Sequence, residues 1–253
     1  MLDLQLPPTL WVPTRPAIVR ACSLKEMPPL GMASGAVAAA LLMDRSAVKS
    51  LTFQNSYNTP SGSNPYTFAS VSIGSASSDR YVIVAWLAAQ DAGVGFSSAT
   101  IGGVSATTIV SNNQNGGHAA IFIANVTSGT TANIVVTLDG AITAGQQAIA
   151  VWTATGLSST TAVNSGSDVA NSGTQSVTLS TASGGFAVAG CVRGSGAGAT
   201  TSWTNATSRF DRSPSIGEQS AADSTSTTGS NLTITSTNSA IDNSQNVTVA
   251  ASW

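Results

Sequence analysis

A chain of 253 residues with 42% hydrophobic side chains can fill a core of ordinary size, and its 8% charged residues leave solubility to Ser, Thr, Asn and Gly. A net charge of -2 without a basic run argues against nucleic acid as a partner, because phosphate binding needs clustered Lys and Arg. Its single histidine and two cysteines, which have no metal-ligand spacing, argue against a zinc site or a disulfide framework.

Residues 1–30 carry prolines at 7, 8, 13, 16, 28 and 29. Each fixes φ, removes a donor and pushes its predecessor toward an extended conformation, so neither a regular helix nor an interior strand is expected. Disordered tails are poor in large apolar residues, whereas this one interleaves its prolines with Leu10, Trp11, Val12, Ile18 and Val19. These five are assigned to an anchor that lies in a groove, on a neighbouring subunit or another protein in preference to the chain's own body. Residues 33–43 are Ala-rich and free of proline, which suits a short helix joining arm to body. The apolar run from Gly31 to Met43 is shorter than the roughly 20 residues of a spanning helix, so no transmembrane segment is expected. Asp44 and Arg45 stand where a secretory signal would place a small-residue cleavage site.

From Ser50 the pattern changes to short apolar segments separated by turns. Tyr81 to Leu87 and Ala119 to Ala124 are nearly continuous apolar runs, as central strands covered on both faces require. A period of two follows in Ile134/Val136/Leu138, Ile149/Val151, Val177/Leu179, Phe186/Val188, Leu232/Ile234 and Val247/Val249/Ala251. Gly102-Gly103, Asn115-Gly116-Gly117, Ser128-Gly129, Asp139-Gly140, Gly184-Gly185 and the stretch Gly194 to Gly198 supply the turns. About twelve to fourteen strands without intervening helices exclude parallel βαβ units. The predicted architecture is all-β: residues 1–49 as an extended arm, and 50–253 as one large antiparallel β-sandwich of jelly-roll type. Two smaller sandwiches split near Gly156 to Gly173 are the alternative. No repeat of 20 to 50 residues is found.

Few residues offer chemistry. His118, beside Gly117, reads as a turn or strand-edge residue, and no G-x-S-x-G elbow exists to give it a serine nucleophile. The acidic residues gather once, in Ser208 to Ser224, where Asp211, Glu218 and Asp223 accompany Arg209 and Arg212. As a ligand loop, these carboxylates would bridge sugar hydroxyls or flank a glycosidic bond. As a structural feature, they would form a long connection pinned by Arg-carboxylate pairs, the commoner case for mixed charge. Asp91, Asp139, Asp168 and Asp242 lack calcium-loop spacing. No catalytic residue, cofactor or metal is assigned. Trp86, Trp152 and Cys191 are expected in the core, Trp203 and Trp253 are undecided, and the N-x-[ST] sequons at Asn125, Asn205, Asn231 and Asn246 are no more than this composition produces by chance.

The opening LPPTLWVPTRPAIVR, followed by a β domain containing ATIGGVSATT and ANVTSGTTANIVVTL, resembles accessory virion proteins of tailed bacteriophages, of the head-decoration and head-fibre type. The resemblance implies a non-enzymatic particle-surface protein, folded in the host cytoplasm. Its arm would bind the major capsid protein or another virion protein, and the protein would be a homo-oligomer without membrane or nucleic-acid partners. A receptor- or carbohydrate-binding module of a tail fibre, using Asn112 to His118 and Ser208 to Asp223, is the alternative, and a secreted glycoside hydrolase is a third class.

Overall fold

The computed structural model describes residues 48–90, 94–114, 116–143, 146–194, 199–214, 217–225, 227–239 and 246–253. The arm residues Leu10, Trp11, Val12, Ile18 and Val19, the expected helix at 33–43 and Cys22 lie outside them. The described residues belong to one compact unit, Ser46–Trp253.

This unit is all-β and its sheets are antiparallel. Its first half contains β1 (Ser50–Asn58), β2 (Tyr66–Ser72), β3 (Tyr81–Gln90), β4 (Phe96–Ile101), β5 (Val104–Ser105), β6 (Thr107–Gln114), β7 (Gly116–Asn125), β8 (Thr131–Leu138) and β9 (Gln147–Thr155). These form one sheet in the order β1-β9-β3-β7-β6 and a second in the order β2-β8-β4-β5. The other half contains β10 (Asn164–Ala170), β11 (Thr174–Leu179), β12 (Phe186–Arg193), β13 (Thr201–Thr204), β14 (Thr207–Arg212), β15 (Glu218–Thr225), β16 (Leu232–Asn238) and β17 (Asn246–Ser252). Their sheets run β10-β17-β12-β15-β14 and β11-β16-β13.

Where one sandwich with one core is expected, the pairings give four sheets and three cores. Side chains of a strand alternate between faces, so a strand in an inner sheet must be apolar on both. On β3, Val82, Val84 and Trp86 meet Phe68, Ile134 and Val136 of the β2-β8-β4-β5 sheet. Ile83, Ala85 and Leu87 point the other way, toward Val188, Val192, Val249 and Trp253 of the second half. The outermost core, between the β10-β17-β12-β15-β14 sheet and the β11-β16-β13 sheet, is small: Val177, Leu179, Ala187, Ala189, Ile234 and Ala250.

The two halves repeat one another strand for strand, with β5 alone lacking a counterpart. Even register is kept. Thr107 faces Ile123 and Thr207 faces Asp223; a bulge interrupts β6 between Thr108 and Val110, and the same bulge interrupts β14 between Ser208 and Phe210. Gly129 and Gly229 hold matching left-handed turns with φ of 73° and 79°. The period is about 100 residues, beyond the 20–50 residue window of common short repeats, and the unit is a whole sandwich. The halves stack through equivalent sheets. β3 packs on its own counterpart β12, with β7 on β12 and β15 on β3, but β6 and β7 also lie against β10 and β17, which β14 and β15 do not match to the same extent with β1 and β9.

One corner of the first half is held by a buried cation. Arg80 is fully buried and its guanidinium donates to four carbonyls: Val126 at 2.6 Å, Ser128 at 2.6 Å, and Gly74 and Gly129 at 2.8 Å. Its fork of donors satisfies turns that would otherwise bury orphan acceptors.

Candidate functional site

Comparison of the halves locates the unusual chemistry. In the first half, Trp86, Phe96, Phe122, Leu138 and Ile149 pack between the two sheets, and His118 and Gln147 are buried on the same side, Gln147 Oε1 accepting Trp86 Nε1 at 3.0 Å. The matching space in the second half holds more polar groups. On the side of β12, β15 and β17 that faces the β11-β16-β13 sheet lie Cys191 and Arg193, Glu218 and Ser220, and Asn246 and Thr248, all buried. Gln175, Ser236 and Asn238 face them, also buried. In register, Thr201 and Asn238 stand where Phe96 and Leu138 pair in the first half. The fold itself therefore does not demand polarity at these positions.

Hydrogen bonds organise this polar end. The Ser236 and Thr248 hydroxyls are 2.7 Å apart, Trp203 Nε1 donates to Ser220 Oγ at 2.9 Å, and Asn246 Nδ2 donates to the Ser172 carbonyl at 2.6 Å. At the centre, the Thr201 hydroxyl contacts Glu218 Oε1 and lies 2.6 Å from Asn238 Oδ1. The Thr201 backbone N–H donates to Asp211 Oδ2 at 3.2 Å, and Asn238 Nδ2 approaches Cys191 Sγ at 4.0 Å. Burial pushes the Glu218 carboxyl up to about 7, with Asp211 adding to the rise and the contacts to Thr201 and Arg193 opposing it. Burial likewise raises the Cys191 thiol. A hydroxyl, a carboxamide and a carboxyl that titrates near neutrality thus meet in a site shielded from water.

The sequence reading grouped Arg209, Asp211, Arg212, Glu218 and Asp223 in one loop. The structure instead spreads them over the hairpin of β14 and β15, at three places. Arg209 grips Asp223 with two bonds of 2.7 and 2.8 Å, which raises the Arg209 guanidinium, and Asp223 also accepts Trp152 Nε1 at 2.6 Å. This ion pair lies where the halves meet. Arg212 Nη1 reaches the Gln147 carbonyl at 3.1 Å and Gln219 Oε1 at 3.3 Å, again bridging the halves. Only Glu218 and Asp211 belong to the polar end. Thr201, Asn238 and Arg193 were not foreseen, although Arg193, a charge closing the apolar run FAVAGCV, was a visible signal.

The other candidates fall as follows. His118 is buried in β7, within a strand and not at a turn. Trp86 and Trp152 are fully buried, as expected; Trp253 is buried against Phe186, and Trp203 is half-buried. Cys191 is a buried free thiol. Asn112 and Asn113 line a pocket of about 130 Å³ with Gly95, Phe96, Ser111 and Asp139. A larger one of about 240 Å³ lies over Tyr57, Asn58, Thr59, Ser61, Thr67 and Phe68. Among the described residues no group of three or more His, Cys, Asp or Glu is placed to hold a metal, and no helix is long and apolar enough to cross a membrane.

No protein-family model matches the chain, and no curated protein matches it. Among solved structures, an anti-sigma factor domain-containing protein aligns over 79% of this chain and 84% of its own at 11% identity, with a TM-score of 0.21, too low to bear on fold or function.

Proposed function

We propose that the chain is a structural protein of the surface of a tailed-phage particle. Its N-terminal arm attaches it to the capsid, and its β body is displayed. The observation that carries this reading is that the proline-interleaved Leu10, Trp11, Val12, Ile18 and Val19 all precede the compact unit Ser46–Trp253. The cores of the body are filled from its own strands. We read each half as a jelly roll: β1-β9-β3-β7 and β2-β8-β4-β5 follow that strand order, with β6 added at one edge. The mechanism is burial of apolar arm surface against the shell, at roughly 25 cal/mol per Å² before ordering costs, multiplied by the avidity of many copies. The role is non-enzymatic and needs no cofactor. Asp223 is committed to Arg209 and Trp152. Copies associate as a homo-oligomer, and folding takes place in the host cytoplasm before assembly.

Co-sedimentation with purified heads lacking the protein tests the reading. Full-length chain is expected to pellet with heads and a chain starting at Ser46 to stay in the supernatant; failure of both to pellet refutes head attachment. The polar pocket at Asn112, Asn113 and Asp139 favours one alternative, a receptor- or carbohydrate-binding module of a tail fibre. Glycan affinity of the body that is lost in Asn113→Ala would establish it.

A further inference from the structure

The outer sheet of the second half poses a problem of cohesion. It has three strands where its counterpart has four, and its apolar core is the smallest of the three. β13, of four residues, is held at the sheet edge through β16. At that weak edge sits a reactive arrangement.

We propose that Thr201 and Asn238 form an intramolecular ester that staples β13 to β16. Thr200 and Ser239 share the ladder bond from the Ser239 N–H to the Thr200 carbonyl, so the next pair, Thr201 and Asn238, is of the non-hydrogen-bonded kind whose side chains approach most closely. Cβ atoms of such pairs lie about 4.5–5.5 Å apart, and a modest pinch brings them to ester length. The Thr201 hydroxyl already lies 2.6 Å from the Asn238 carboxamide oxygen and touches Glu218 Oε1. All three residues are buried.

The step balances without any other reactant. Glu218, as carboxylate, takes the hydroxyl proton while Thr201 Oγ1 attacks Asn238 Cγ. The carbon–oxygen bond forms, the Cγ–Nδ2 bond breaks, and Glu218 returns the proton to the departing nitrogen, which leaves as ammonia. A carboxyl that titrates near neutrality suits both halves of that transfer. Orientation supplies the drive: effective molarities of aligned groups reach about 10⁵–10⁸ M, and escape of ammonia makes the product irreversible. Glu218 Oε2, buried and without a hydrogen-bond partner, is a carboxyl oxygen not consumed by structural bonding. The first half, with Phe96 and Leu138 at the matching positions, has no such trio and a full-sized core.

Intact-mass measurement of the full chain decides the matter. The expected mass is below that of the sequence by one ammonia, about 17 Da, and peptide mapping is expected to show the segment holding Thr201 joined to that holding Asn238. Thr201→Val and Glu218→Gln are expected at their full sequence masses, with the two peptides separate. A wild-type chain at full sequence mass overturns the proposal. So does an ammonia loss confined to the Asn238 peptide, which would be cyclisation onto the Ser239 backbone. The wild-type result stands even if a variant fails to fold, and none of it depends on particle attachment.

Discussion

Glu218 loses its hydration on the buried side of β15 and has the Asp211 carboxylate for a neighbour, so the folded chain holds its proton more tightly than the unfolded chain does. The sign of the consequence is fixed. The folded-state value is raised from 4.5 to about 7, so the unfolded state releases this proton first and stability falls as pH rises through that window, then levels off above it. Urea unfolding of the Thr201→Val variant, which cannot form the ester, measured from pH 5 to 8, is expected to show this decline. Adding Glu218→Gln should flatten it, and an unchanged slope would mean that another group titrates.

At the scale of elements, the hairpin of β14 and β15 shows what could be read from sequence. The runs at β3 and β7 and the alternation in β8, β9, β11, β12, β16 and β17 were legible because burial on one or both faces writes itself into the apolar pattern. β15 was not. Its sequence EQSAADST looks like a loop, yet most of it is buried, because it runs inside a sheet covered on both sides and its small or polar side chains find partners there. β6, β10 and β14 were hidden for the opposite reason: as edge strands they bury little. The candidate site was illegible because its pairing of Thr201 with Asn238 spans 37 residues and depends on register, which no local pattern encodes. The bulge shared by β6 and β14 makes a test possible. It leaves Ile109 in the first half and Arg209 in the second outside the ladder; Ile109 packs with Ile123 in the central core, and Arg209 binds Asp223. Arg209→Ile alone would strand the Asp223 charge beside Trp152 and is expected to cost about 3 kcal/mol. The double variant Arg209→Ile/Asp223→Ile, which restores the apolar pair, should recover most of that loss. A double variant no more stable than the single one would show that the ion pair is not interchangeable with its apolar counterpart.

For the whole body, the central core dictates cooperativity. Ile83, Leu87, Ile121, Ile123 and Trp152 of the first half share one core with Phe186, Val188, Val249 and Trp253 of the second, so either half alone would present a broad apolar sheet to water. A chain ending after β9 is therefore expected to bind hydrophobic dye or aggregate, whereas Ser46–Trp253 should unfold in one transition by circular dichroism and by tryptophan fluorescence. Two separated transitions would show that the sandwiches are independent. A repeat of about 100 residues lies beyond the 20–50 residue range in which sequence periodicity betrays common repeats. The period lay in register and bulge position, and the residues occupying it had changed too far to reveal it.

The segment between β9 and β10, residues 156–163, joins the two halves in one chain. Two separate chains meeting through this face would part on dilution; joined by so short a tether, each half meets the other at an effective concentration in the millimolar range however few particles are present. Joining also lifts a constraint. In a contact between identical chains, every side chain must serve both sides at once, so a buried Asp at one site means a second buried Asp across the axis. Here position 123 keeps isoleucine while position 223 takes aspartate, and where Phe96 and Leu138 pair in one sandwich the other is free to place an alcohol and an amide.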